Sequence, residues 1–210
     1  IHIEGIRGIA KADIEDALGL GYRLKLLAVI KNEHGEIEVR VHPTLIPLDH
    51  MLASVSGVFN AIMVEGDIVG QTLYYGRGAG RRPTASAVIS DIGDVSRALA
   101  FGGLNTVPIF GKKAKTARFR DPGGIEARYY LRVSLLDKPG ELGRLTTVLG
   151  KHHVSIASVV QKEVKTGKHV PVVILTHRAR ERDFEAALKT IEKTNVVNAR
   201  IIRLRIEDLA

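Results

Sequence analysis

The chain has 210 residues, 45% of them hydrophobic and 26% charged, with a formal net charge of +8 and no cysteine. This composition suits a globular protein of one large or two ordinary domains and excludes the disordered and fibrous classes. The missing cysteines exclude disulfides, thiolate zinc sites and a cysteine nucleophile, and no apolar run approaches the roughly 18 residues of a membrane helix. A cytoplasmic protein that binds no membrane is expected. The start Ile1-His2-Ile3-Glu4, without Met or a signal segment, reads as a fragment cut from something longer.

Asp13 to Leu18 reads as a short helix stopped by Gly19 and Gly21. Tyr22 to Ile30 and Ile37 to Val41 read as two strands of a hairpin whose turn, 32–36, takes its positive φ from Gly35. Pro43 and Pro47 are expected to break the chain before a short helix near 50–55. A second hairpin pairs 58–65 with 68–75 across the two-residue turn Gly66-Asp67. The glycine-rich loop GRGAG (76–80) then leads into a helix from Pro83 to about Ala100, with Ala85, Val88, Ile89, Ile92, Val95 and Leu99 at helical spacing and Gly102-Gly103 at its end.

Between Gly102 and Arg128 six cations (Lys112, Lys113, Lys115, Arg118, Arg120, Arg128) face only Asp121 and Glu126, which places half of the net charge in one stretch. It holds Phe110 and Phe119 but has no helical period, so it reads as a solvated linker, and no nucleic-acid partner is expected. From Arg128 onward the pattern changes. Strands at 130–136, 154–163, 170–177 and 196–204 alternate with two helical faces, Leu142/Leu145/Leu149 and Phe184/Ala187/Leu188/Ile191. The order βαββαβ predicts a ferredoxin-like sheet with two helices on one face, and an α+β fold class for the chain.

The GRGAG loop invites a phosphate-binding reading. Against G-x-G-x-x-G, however, it offers Gly76 and Gly78 but Arg81 at the third position, and its preceding strand belongs to a hairpin. No Walker loop occurs. Glycine backbone ahead of a helix N-terminus, near Arg77, Arg81 and Arg82, favours a negative group; the same residues read equally as a tight basic turn. The eight histidines form no HExxH, so no metal site is expected, and without GxSxG there is no serine-hydrolase signature. Glu65 and Asp67 flank a turn where solvation explains them.

The strings IEGIRGI (3–9), DIEDALGLGYRLKLLA (13–28), VHPTLIPLDHMLASVSGVFNAIMVEGD (41–67) and YYGRGAGRRPTASAVISDI (74–92) resemble the latter half of the homoserine dehydrogenase catalytic domain. LRVSLLDKPGELGRLTTVLGKHHVSIASVVQKE (131–163) resembles an ACT domain. The resemblance implies residues 1–103 as the latter part of the catalytic and substrate domain, 104–127 as a basic linker, and 128–210 as an ACT regulatory domain. It further implies NAD(P)-dependent interconversion of L-homoserine and L-aspartate 4-semialdehyde, towards threonine, methionine and isoleucine. NAD or NADP would be held mainly by a Rossmann domain outside this segment. No catalytic residue is expected here, because the family lysine lies upstream, and the segment alone is expected to be inactive. The resemblance assigns Gly78, Ala79 and Gly80 to the nicotinamide cofactor. It assigns Asp137, Gly140, Glu141, Leu142 and Gln161 to an amino-acid effector, threonine, and implies a homodimer or homotetramer. The rival reading is a free-standing amino-acid-binding ACT protein used for regulation or dimerisation without catalysis.

Overall fold

The computed structural model describes residues 1–33, 35–102, 118–161 and 168–209. In chain order the elements are β1 (His2–Ile3), α1 (Lys11–Gly19), β2 (Tyr22–Glu33), β3 (Glu36–Pro47), a 3-10 turn (Met51–Ser54), β4 (Phe59–Gly66), β5 (Gly70–Arg77), α2 (Arg81–Ala100), β6 (Arg118–Phe119), β7 (Glu126–Leu136), α3 (Glu141–Lys151), β8 (Ile156–Gln161), β9 (His169–Thr176), β10 (Ala179–Arg180), α4 (Glu181–Glu192) and β11 (Ile202–Ile206). They group into two compact units, residues 1–53 with 117–210, and residues 54–116.

In the first unit the expected α+β, ferredoxin-like plan is present: β11, β7, β9 and β8 lie side by side, each pair antiparallel. Alternation along β7 sends Tyr129, Leu131, Val133 and Leu135 to one face. There they pack with Leu145 and Leu149 of α3 and with Phe184, Ala187, Leu188 and Ile191 of α4. Both expected helical stripes therefore meet the sheet. The last strand begins later than expected, at Ile202, and residues 196–201 contribute only a bridge from Val197 to Leu135.

The sheet does not stop at β11. Its free edge pairs in parallel with β3 (Arg205↔Thr44, Ile206↔Leu45), and β3 pairs along its whole length with β2. The expected break at Pro43 and Pro47 is not found, because β3 runs through Pro43 and ends on Pro47. Both prolines are odd-numbered, and the odd residues of β3 point their backbone groups away from β2. Pro43 also falls between the residues paired with β1 (Arg40, Val41) and those paired with β11 (Thr44, Leu45). The missing N–H thus falls where no ladder bond is needed.

Alternation gives β3 two chemically different faces. Leu45 joins Ala17 of α1 and Tyr130, Val173, Leu175, Leu204 and Ile206 in a second core, on the sheet face opposite α3 and α4. On the other face Glu38, Arg40, His42 and Thr44 are all buried. Arg40 donates to Glu207 at 2.6 Å and pairs with Glu38 at 2.6 Å, and Lys31 holds the second Glu207 oxygen at 2.7 Å. Arg205 forks onto Glu181 at 2.6 and 2.9 Å and reaches Glu4 at 3.0 Å, while the Tyr129 hydroxyl donates to Glu181 at 2.7 Å. Arg120, from the basic stretch, bonds Glu33 at 3.0 Å, whereas Lys112, Lys113 and Lys115 lie outside the described residues.

In the second unit β4 and β5 form the expected hairpin, with a shifted turn. Gly66 pairs with Gly70, so Asp67-Ile68-Val69 is a three-residue loop closed by Gly70 at φ +74°. α2 spans 81–100, and none of its described residues is buried; Val88, Ile89, Ile92, Val95 and Leu99 are exposed.

His42 accepts from Arg40 on Nε2 at 3.2 Å and lies 2.9 Å from Thr44 Oγ1 through Nδ1, an arrangement that suits the neutral ring. Burial, and then the charge of Arg205, depress its pKa from 6.5 to about 4. For Glu4 burial acts upwards, but Arg205, the His2 hydrogen bond and Arg203 outweigh it and hold the carboxyl at about 2. The unfolded chain takes up a proton on His42 near its ordinary pKa, which the folded chain refuses until about 4, so stability falls with pH through that window. Glu4 adds a loss of the same sign as pH drops below its ordinary 4.5. Urea unfolding between about pH 7.5 and pH 4 should show declining stability, and His42→Gln should flatten the upper part of the slope.

Candidate functional site

The glycine loop joins β5 to α2 and is shaped by β4. Gly78 donates its N–H to Val58 at 3.0 Å, and the space where a Cβ would sit on Gly78 is filled by the side-chain amide of Asn60. Only glycine fits there without moving Asn60. Gly80 is the N-cap of α2 at φ +126°, a backbone conformation that L side chains rarely adopt. No side chain caps α2, Pro83 carries no N–H, the first-turn N–H groups of Arg81 and Arg82 have no intrahelical acceptor, and residues 79–82 are exposed. Phe59 stacks on Tyr75 with ring centroids 4.9 Å apart, and the Arg77 guanidinium lies 5.3 Å from the Phe59 centroid. Gly78, Ala79 and Gly80 are therefore together on one exposed turn. Asn60, which supports them, has no assigned role in the sequence, although it stands in the string FNAI. Residues of this kind fit a polar or anionic cofactor group approaching the backbone closely.

Four of the five expected effector residues form the turn from β7 to α3. Asp137 N donates to Lys168 O at 2.9 Å, Gly140 is the N-cap of α3 at φ +90°, and no side chain caps the helix. The Glu141 carboxylate is engaged by Arg144 at 3.1 Å, and Leu142 packs against the α3–α4 core, which leaves backbone as this turn's main offer to a ligand. Gln161 ends β8. It lies opposite Val172, itself opposite Val133, on the helix-covered face of the sheet and towards the end where the turn lies. Gly140 also borders a groove of about 470 Å³ between α3 and α4, with Gly143 and Thr147 on one wall and Ile191 and Thr194 on the other.

A cleft of about 250 Å³ lies at the seam between β1 and β11, over Pro43. Its charged groups are largely spoken for, since Glu4 binds Arg205 and Arg203, and Arg203 also pairs with Glu185. No group of three histidines, aspartates or glutamates able to hold a metal occurs among the described residues.

Residues 1–92 match the family model for homoserine dehydrogenase, and residues 129–195 match that for the ACT domain. The chain is 41% identical to the homoserine dehydrogenase of Pseudomonas aeruginosa over 99% of its own length and 49% of that protein. It is 42% identical to that of Neisseria gonorrhoeae over 99% and 48%. Among solved structures, a homoserine dehydrogenase from Thiobacillus denitrificans superposes with a TM-score of 0.87 at 38% identity, covering 99% of this chain and 47% of that one. The S. aureus enzyme at pH 6.0 gives 0.63 at 28%, again over 99% and 47%. The chain spans about half the length of these relatives, and with a homoserine dehydrogenase segment followed by an ACT domain it belongs to the homoserine dehydrogenase family.

Proposed function

We propose that the chain is the latter part of an NAD(P)-dependent enzyme that interconverts L-homoserine and L-aspartate 4-semialdehyde, in the cytoplasmic synthesis of threonine, methionine and isoleucine. Residues 1–103 belong to the catalytic domain, 104–127 connect, and 128–210 regulate; this division follows family modules and does not coincide with the two compact units. The observation that carries the reading is the GRGAG turn, in which a Cβ on Gly78 would meet the Asn60 side chain and Gly80 has φ +126°, within a chain similar to homoserine dehydrogenases over 99% of its length. When bound, the nicotinamide supplies hydride transfer. The role of this chain is positional. Gly78, held against Asn60, fixes the turn, while Gly80 and Ala79 let the cofactor approach the backbone, and the uncapped start of α2 favours its negative side. The apolar residues exposed on α2 and on the β4–β5 hairpin support a homodimer or homotetramer.

The segment carries neither the family lysine nor a dinucleotide-binding glycine fingerprint, so the purified 210-residue chain should reduce neither NAD nor NADP with homoserine, as followed by absorbance. In the full-length enzyme Gly80→Val should lower turnover by about 100-fold with an unchanged circular dichroism spectrum, since displacement on the order of 1 Å at a positioned cofactor costs that much. Wild-type turnover in that variant would leave the loop as a turn only. Gly78→Ala should also impair the enzyme, and adding Asn60→Ala should restore part of the loss by vacating the space the new methyl needs.

The ACT module is proposed to bind threonine at the turn formed by Asp137, Gly140, Glu141 and Leu142, with Gln161 as a polar partner. The effector carboxylate would take the open N–H groups at the start of α3. Threonine at about 100 times its Kd should stabilise the chain by about 2.7 kcal/mol, visible as a raised Tm. Gln161→Ala should weaken this response while leaving the unliganded Tm in place. It is a cleaner variant than one at Gly140, where φ +90° makes any side chain strained. No calorimetric heat with threonine would leave the module as an assembly device.

A further inference from the structure

A βαββαβ module covers one sheet face with its own helices and leaves the other face and the outer strand edges to be filled by something else. In this chain residues 1–53 fill both the second face and one edge. Ala17 of α1 and Leu45 of β3 pack on Tyr130, Val173, Leu175, Leu204 and Ile206. Asp13, at 0% exposure, receives Arg132 of β7 through Nε at 2.5 Å and Nη2 at 3.0 Å. Asp13 also accepts the Ala10 N–H at 2.8 Å, which ties the start of α1 to the same carboxylate. At the edge β11 pairs with β3, Glu207 N donates to Leu45 O at 3.0 Å, and the Glu207 carboxylate is shared by Arg40 and Lys31.

We infer that residues 128–210 are not an autonomous ACT domain, and that residues 1–53 are built into it as a third layer and an extended sheet, so that both open in one equilibrium. The charges enforce this. If β2 and β3 left alone, Glu207 would lose both Arg40 and Lys31. If α1 left, Arg132 would lose Asp13, and Tyr130 with its neighbours would face water. Opening the ACT sheet alone would strand Asp13, at 0% exposure, without Arg132 and would take Glu207 from Arg40, at 1% exposure, leaving it only the Glu38 carboxylate. The link between the catalytic segment and the regulatory module is thus direct packing of residues 1–53 on 117–210, and does not depend on residues 54–116. It also does not depend on which effector the turn binds.

Native-state hydrogen exchange of the whole 210-residue chain under rising urea tests this. The slowest amides of β2–β3 and those of β7–β9 should converge on one isotherm. Asp13→Asn, which keeps a side-chain acceptor for Ala10 N–H but removes the charge facing Arg132, should speed both sets by the same factor. Lys31→Met, at the half-exposed end of the Glu207 cluster, should do the same to a smaller degree. If the β7–β9 amides of the wild type keep a separate, higher isotherm while β2–β3 exchange early, the module is autonomous and the inference fails. A variant that accelerates only β2–β3 would overturn it as well.

Discussion

The pairing demand of β3 governs the first unit. The backbone groups of its even residues point towards β2, so those of its odd residues need partners on the opposite edge. The carbonyls of Ile37, Val41 and Leu45, four residues apart, accept in turn from Arg120 N at 2.9 Å, Glu4 N at 2.9 Å and Glu207 N at 3.0 Å. Three stretches remote in sequence are thereby laid end to end along one strand, as β6, β1 and β11. The wide sheet and the continuity between the family's two modules both follow from it.

The main cluster of buried charge in the fold lies beside the same strand, shared with β11 and the start of α4. Burying Glu38, Arg40, His42, Arg205, Glu181 and Glu207 costs desolvation, which charged hydrogen bonds offset only when each partner is in place. Apolar residues of similar size would pack there without that requirement. They would also tolerate slippage of β11 against β3, because hydrophobic contact is not directional, whereas the ion pair of Arg40 on β3 with Glu207 just after β11 holds one register. The neutral His42 is part of this arrangement, since a third positive charge beside Arg40 and Arg205 would oppose both.

The second unit works differently. A two-stranded hairpin and one helix cannot enclose a core, and none of the described residues in 54–102 is buried. Its loop geometry is nevertheless defined, because it depends on local contacts: the Gly78–Val58 hydrogen bond, Asn60 against Gly78, and the conformation of Gly80. The turn before α3 is similar in kind. There Gly140 adopts positive φ and backbone groups remain open at a helix start, while the neighbouring Leu142 is spent on the core.

Much of the fold was legible because local rules decide it. Period 3.6 placed Leu145, Leu149, Phe184 and Ile191 on buried helix faces. Period 2 placed the strand at 130–136, and the demand for positive φ identified Gly35. The strings at 74–92 and 131–163 carried the family. What could not be read was which strand edge meets which. Pro43 signals a break unless its nitrogen faces a seam, and that is decided by β1 and β11, each distant in sequence. Glu38, Arg40 and Glu207 look like solvated charges until β3 and β11 are adjacent, and Asn60 is one residue of a strand until Gly78 folds back on it. A sequence sets the period and local torsions of each segment. Burial of a charge and the pairing of an edge are properties of two segments at once, and only the tertiary structure brings those together.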